Sequence, residues 1–167
     1  PTTAFAPNAS DGHVYRSGEA SWTLARDTAD GATVDKTSAS LSPVDNSGNV
    51  TFVCARGFFP FDTSAIPAAA TISLVNLFYT VSDVGTDFNG ITFHIVLSSQ
   101  GSPTDLVLGD FDTLGSTSQG SRTNAGLPGL DVEYTFSLLT TSVTNGGWTQ
   151  LGWRGSLDID NVAPGSG

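Results

Sequence analysis

Apolar and polar residues along this chain alternate with a period of two, and no window of helix length carries an i, i+3, i+4, i+7 apolar stripe. Ile91, Phe93, Ile95 and Leu97 fall on one side of an extended backbone, and Val132, Tyr134, Phe136 and Leu138 repeat the arrangement. The same pattern predicts short strands at 13–16 and 21–26 and another at 149–154. It also predicts, over 49–61, either two strands or one long strand with a kink near Gly57. Residues 72–81 are apolar on both faces, which predicts a central strand. Residues 108–124 are rich in Gly, Ser and Thr and weakly periodic, which predicts a surface loop with at most one helical turn.

Turn signals separate these runs: Thr28-Ala-Asp-Gly31, Asp45-Asn-Ser-Gly48, Asp87-Phe-Asn-Gly90, Gly101-Ser-Pro103, Gly126-Leu-Pro-Gly129 and Asn145-Gly-Gly147. Asn and Gly tolerate the positive φ that tight strand connections require. The densest signal is Arg56-Gly-Phe-Phe-Pro-Phe-Asp-Thr-Ser-Ala-Ile-Pro67, a buried strand closed by a turn in which Asp62 and Ser64 bond the backbone. Many short strands with such turns predict an all-β fold, an antiparallel β-sandwich of jelly-roll type, as a single domain across 1–167.

Composition sharpens this picture. Charged residues make up only 13% of the chain, about half the usual share, so Ser, Thr, Asn and Gly must build most of the polar surface. Such a surface suits a virion or extracellular setting. The net charge of −10 and the absence of any Lys/Arg cluster argue against nucleic acid as a partner. No run of about 20 apolar residues is present, so membrane insertion is not expected. Cys54 is the single cysteine and reads as a small buried hydrophobe, which leaves no internal disulfide. Pro1 and the lack of any methionine suit either removal of an initiator Met or processing of a secreted precursor. The sequons at Asn8 and Asn49 matter only in a eukaryotic secretory setting.

At Arg56-Gly-Phe…Phe61-Asp-Thr-Ser-Ala-Ile-Pro67…Ala70-Thr-Ile-Ser…Leu77 the chain resembles DNRLRE-type jelly-roll domains. These are extracellular β-sandwich modules related to carbohydrate-binding modules, and they also occur in phage structural proteins. Asp11-Gly-His-Val-Tyr-Arg16…Trp22…Arg26, Asp105-Leu-Val-Leu-Gly-Asp-Phe111 and Gly152-Trp-Arg-Gly-Ser-Leu-Asp-Ile-Asp160…Ala163-Pro-Gly extend the likeness over most of the chain. In such domains a last strand follows the Asp-Ile-Asp…Pro turn, whereas here Gly165-Ser-Gly167 follows it. Either the polypeptide continues or a neighbour supplies that strand.

Catalytic constellations are sparse. His13 and His94 both fall within strand patterns, and no Gly-x-Ser-x-Gly elbow is present, so an enzyme is not expected. Asp110 and Asp112 bracket Phe111, and Asp158 and Asp160 bracket Ile159. Each pair places two carboxylates on one side if the backbone is extended. Such pairs serve as turn caps, as ligands for a structural Ca²⁺ or, at a defined separation across a cleft, as the two carboxylates of a glycosidase; no other cofactor is implied. Arg56 is expected to pair with Asp62 or Asp158 near a sheet end. Trp148, Trp153 and Tyr15 are the candidate stacking surface for a glycan or a partner subunit. The expectation is therefore a non-enzymatic structural protein of a virion or extracellular assembly, of capsid-decoration or fibre type. Its partners would be copies of itself or other subunits, with a carbohydrate-binding module as the alternative.

Overall fold

The computed structural model describes residues 2–7, 11–37, 44–47, 51–80, 91–123 and 132–165. The turns expected at 87–90 and 126–129, and the sequon residues Asn8 and Asn49, lie outside them. Among the described residues the strands are β1 (Gly12–Glu19), β2 (Thr33–Asp35), β3 (Val44–Ser47), β4 (Thr51–Asp62), β5 (Val75–Thr80), β6 (Thr92–Ser98), β7 (Leu114–Thr123), β8 (Glu133–Leu138) and β9 (Trp148–Gly155). Two short helices, α1 (Trp22–Arg26) and α2 (Ser156–Ile159), a 3₁₀ segment (Leu108–Thr113) and a single 3₁₀ turn at Thr140–Ser142 complete the framework.

The strands form two antiparallel sheets, so the fold is an all-β sandwich. The larger sheet has the order β2-β1-β4-β9-β6-β7, with β3 also pairing with β4, and the smaller one is β5-β8. Strand β4 is the spine. Along one edge it pairs with β1 from Phe52 to Phe58; along the other it pairs with β9 from Gly57 to Asp62. Because β1 occupies one edge at Phe52 and Cys54, β3, which pairs with the same residues, lies on the edge shared with β9. A strand hydrogen-bonded on both edges and covered on both faces has no polar side, which is why residues 54–58 are all buried.

Directly opposed residues share a face. Tyr15, Ala55, Gly57, Trp153 and Ile95 therefore form one face of the larger sheet, and Val14, Arg56, Arg154, Gly152 and Val96 form the other. The first face packs on the small sheet. Trp153 lies 5.0 Å from Phe93, 5.7 Å from Phe136 and 6.0 Å from Tyr79, ring centre to ring centre. The second face is roofed by α1 and the 3₁₀ segment, through Trp22, Ala25 and Phe111, with Leu114 at the start of β7 beside them in one continuous apolar core. The approach is tight: a Cβ on Gly152 would meet the Leu114 side chain and stand 2.8 Å from the Gly57 carbonyl oxygen.

Several expectations are corrected here. Residues 22–26, expected as strand, form α1. Trp22 and Ala25, three apart, are buried, Leu24 is 48% exposed, and the Ser21 hydroxyl caps the Leu24 N–H at 3.3 Å. Residues 114–123, expected as loop, form the ten-residue strand β7. Only Leu114 and Gln119 on it are buried, so it carries almost no apolar alternation. Strand β5 is not central: it pairs with β8 alone among the described residues, and Phe78 on it is 57% exposed. The alternation over 91–97 holds through Ile95, after which Leu97 is 44% exposed. Of the two alternatives for 49–61, the single long strand is the one formed, as β4 over Thr51–Asp62.

Candidate functional site

Arg56 on β4 and Arg154 on β9 sit one position beyond the Gly57–Trp153 pair, so two guanidinium groups stand side by side on adjacent strands and on the same face. Like charges opposed across a ladder repel. The conflict is resolved by Asp158 on α2, whose side chain is fully buried between them. Its Oδ2 accepts from Arg56 Nε at 2.9 Å and from Arg154 Nε at 2.7 Å. Its Oδ1 accepts from Nη2 of each at 2.8 Å. Both arginines therefore grip the carboxylate bidentately, the strongest geometry available to this pair of groups.

A third arginine closes the cluster. Arg26 on α1 donates Nε to the Asp158 carbonyl oxygen at 2.6 Å, and the Arg26 carbonyl accepts from Arg56 Nη2 at 3.1 Å. Arg56 Nη1 bonds the Phe111 carbonyl at 2.9 Å and Asp112 Oδ1 at 3.2 Å, while its guanidinium carbon lies 4.2 Å over the Phe111 ring. Arg154 Nη1 reaches the Leu114 and Gly115 carbonyls at 3.3 and 3.2 Å. Three of the five arginines thus tie β4, β9, α1, α2 and the 3₁₀ segment to one carboxylate. Burial alone would push the Asp158 carboxyl up, but the hydrogen bonds and charges of Arg56 and Arg154 outweigh it and hold the carboxyl below its usual range. Burial opposes the Arg56 charge as well, and Asp158 overcomes it, raising that guanidinium further.

This arrangement answers the expectations for the acidic pairs. Arg56 pairs with Asp158, one of its two expected partners. Neither Asp pair lies on extended backbone: Asp158 sits in α2 with Asp160 at its C-cap, and Asp110 and Asp112 lie in the 3₁₀ segment. The four N–H groups on Asp158 fill its acceptor sites. Asp110 is a turn cap, accepting from the Gly101 and Val107 N–H groups at 3.0 and 2.9 Å. Asp160 is exposed. Among the described residues no group of three or more His, Cys, Asp or Glu side chains is able to hold a metal ion. Asp62 accepts from the Ser64 N–H at 3.0 Å, the expected side-chain turn.

The stacking candidates separate. Trp153 is 2% exposed and has no face open to a ligand. Trp148 and Tyr15 are each partly exposed, but Trp148 is five residues from Trp153 in an unbroken register, so it projects from the face opposite Tyr15. One flat sugar platform cannot use both. The histidines divide in the same way, His13 opposite Gly57 and His94 opposite Arg154, hence on opposite faces. Burial lowers the His94 pKa, and its Nδ1 lies 3.0 Å from Ser118 Oγ. An open groove of about 540 Å³ is lined by Leu97, Ser98, Ser99, Asp112, Thr113, Leu114 and Gly115. Its single titratable side chain, Asp112, is already bonded to Arg56.

Arg154 and Arg26 were not singled out by the sequence pattern. The signal for Arg154 was its i, i+4 spacing to Asp158, which becomes meaningful only once a short helix is known to follow β9. The chain matches no known protein family, no curated protein and no solved structure.

Proposed function

We propose that this protein is a non-enzymatic structural module of a virion or extracellular assembly, of capsid-decoration or fibre type. It acts by packing and strand-edge pairing with neighbouring subunits. One observation carries this reading: the chain's densest charge constellation is closed around Asp158 as a structural clasp, while Phe78 of the smaller sheet and Leu74 just before β5 turn outward. Phe78 is 57% and Leu74 is 70% exposed, the two highest values among the large apolar side chains described.

The jelly-roll reading, and with it the resemblance to DNRLRE-type domains, draws support from the nesting of the pairings. Strands β4 and β9 pair in the larger sheet, and β5 and β8, which lie between them in sequence, pair in the smaller one. A folded-over hairpin rolled into two layers produces that nesting. The competing carbohydrate-binding reading retains only Trp148 and Tyr15, which face apart. Gold-labelled antibodies against the chain, applied to fibres or virions from the producing source, are expected to mark them at regular intervals. Label confined to free protein would overturn the assembly role.

A further inference from the structure

Among the described residues the exposed strand edges differ in how they are protected. Strand β2 is only three residues long and ends on Asp35. Strand β7 breaks register twice against β6, which twists it, and carries Arg122. Strand β8 carries Glu133 and is tied to β7 by Leu139 N to Gln119 O at 2.8 Å and by Arg122 Nη1 to Thr135 O at 3.4 Å. Strand β5, Val-Asn-Leu-Phe-Tyr-Thr, has none of these devices. Its register with β8 runs unbroken from Val75 to Thr80, and it bears no charge, bulge or proline.

We propose that this edge of β5 receives β5 of a second copy of the chain, antiparallel about a two-fold axis at Asn76. This rests on the assembly role above and specifies its edge and its partner. The charge distribution favours a second copy. Each molecule carries a net −10, so two of them meet most easily where acidic groups are absent, and residues 63–80 contain no charged side chain at all. The edge is also complementary to itself. Centring the register on Asn76 and continuing it one residue before β5 sets Phe78 opposite Leu74 of the second copy and Leu74 opposite its Phe78, so two exposed apolar side chains cover each other. The amides of the two Asn76 residues face across the axis, and Val75 meets Leu77 beneath. The two small sheets become one four-stranded sheet, β8-β5-β5-β8, joined by main-chain hydrogen bonds.

The test is a cysteine placed on the axis. Antiparallel neighbours stand roughly 4.5–5.5 Å apart at Cα, within disulfide reach. Asn76→Cys is expected to form a covalent dimer under mild oxidation. Ser137→Cys, on the outer face of β8 one strand away, is expected to stay uncrosslinked. Cys54 is buried and contributes no background. Sedimentation of the unmodified chain should show a dimer that Phe78→Lys reduces at least tenfold in association constant without changing the far-UV circular dichroism. A chain that remains monomeric at several hundred micromolar, or crosslinking at position 137 equal to that at 76, overturns the pairing. A chain that is monomeric yet marks fibres or virions overturns the β5 contact and leaves the assembly role standing. A chain that crosslinks through position 76 but occurs on no assembly does the reverse.

Discussion

At the level of single residues, the decisive group is one carboxylate that neutralises two opposed guanidinium groups. Asp158→Asn removes the charge but keeps the volume, leaving Arg56 and Arg154 buried beside each other. The expected loss is about 3–5 kcal/mol in unfolding free energy, measured by urea denaturation. Cys54 lies beneath the same cluster, and burial pushes its thiol up to about 12. It should therefore resist alkylation in the folded protein and react in denaturant, a contrast readable by mass spectrometry. The Arg56 partnership was foreshadowed by an arginine inside an otherwise apolar strand, which demands a counter-charge. The doubling of that partnership by Arg154 was not legible, because it depends on the register between β4 and β9, strands more than eighty residues apart.

At the level of elements, close approaches decide what can be changed. Gly152→Ala drives a methyl against Leu114 and the Gly57 carbonyl, and about 1–3 kcal/mol of destabilisation is expected in thermal unfolding. Thr63, 3% exposed after the end of β4, holds the turn before β9. Its Oγ1 donates to carbonyl oxygen, with those of Thr144 and Gly147 at 2.7 and 2.9 Å, and lies 2.9 Å from Thr149 Oγ1. Thr63→Val strands these buried groups at a cost of about 1–3 kcal/mol, measurable by denaturant titration. Where apolar residues alternate against a covered face, as in β8, the pattern marked the strand correctly. It failed for α1, because five residues hold too few periods to separate spacing two from spacing three. It failed for β7, where Ser, Thr and Gly fill positions that burial elsewhere assigns to larger side chains. It misplaced β5, because Phe78 on it and Leu74 just before it made both faces of the run apolar while only one is covered.

At the level of the whole molecule, acid should unlock the fold through the same carboxylate. The folded-state pKa of Asp158 lies below its usual 3.8. Its stabilisation is thus complete above that value and is lost as pH falls through the depressed one. Fluorescence of the buried Trp22 and Trp153 is expected to stay constant from pH 7 to about 5 and to change cooperatively only below about 4. A transition near neutral pH would contradict this account. The clasp also bears on biosynthesis. Arg56 and Arg26 precede their shared anion by 102 and 132 residues, so both leave the ribosome long before it does. Until Asp158 is made, the nascent chain carries these guanidinium groups without the carboxylate that neutralises them. The clasp is therefore a late event in synthesis: it closes only after α2 has emerged to meet strands made long before it.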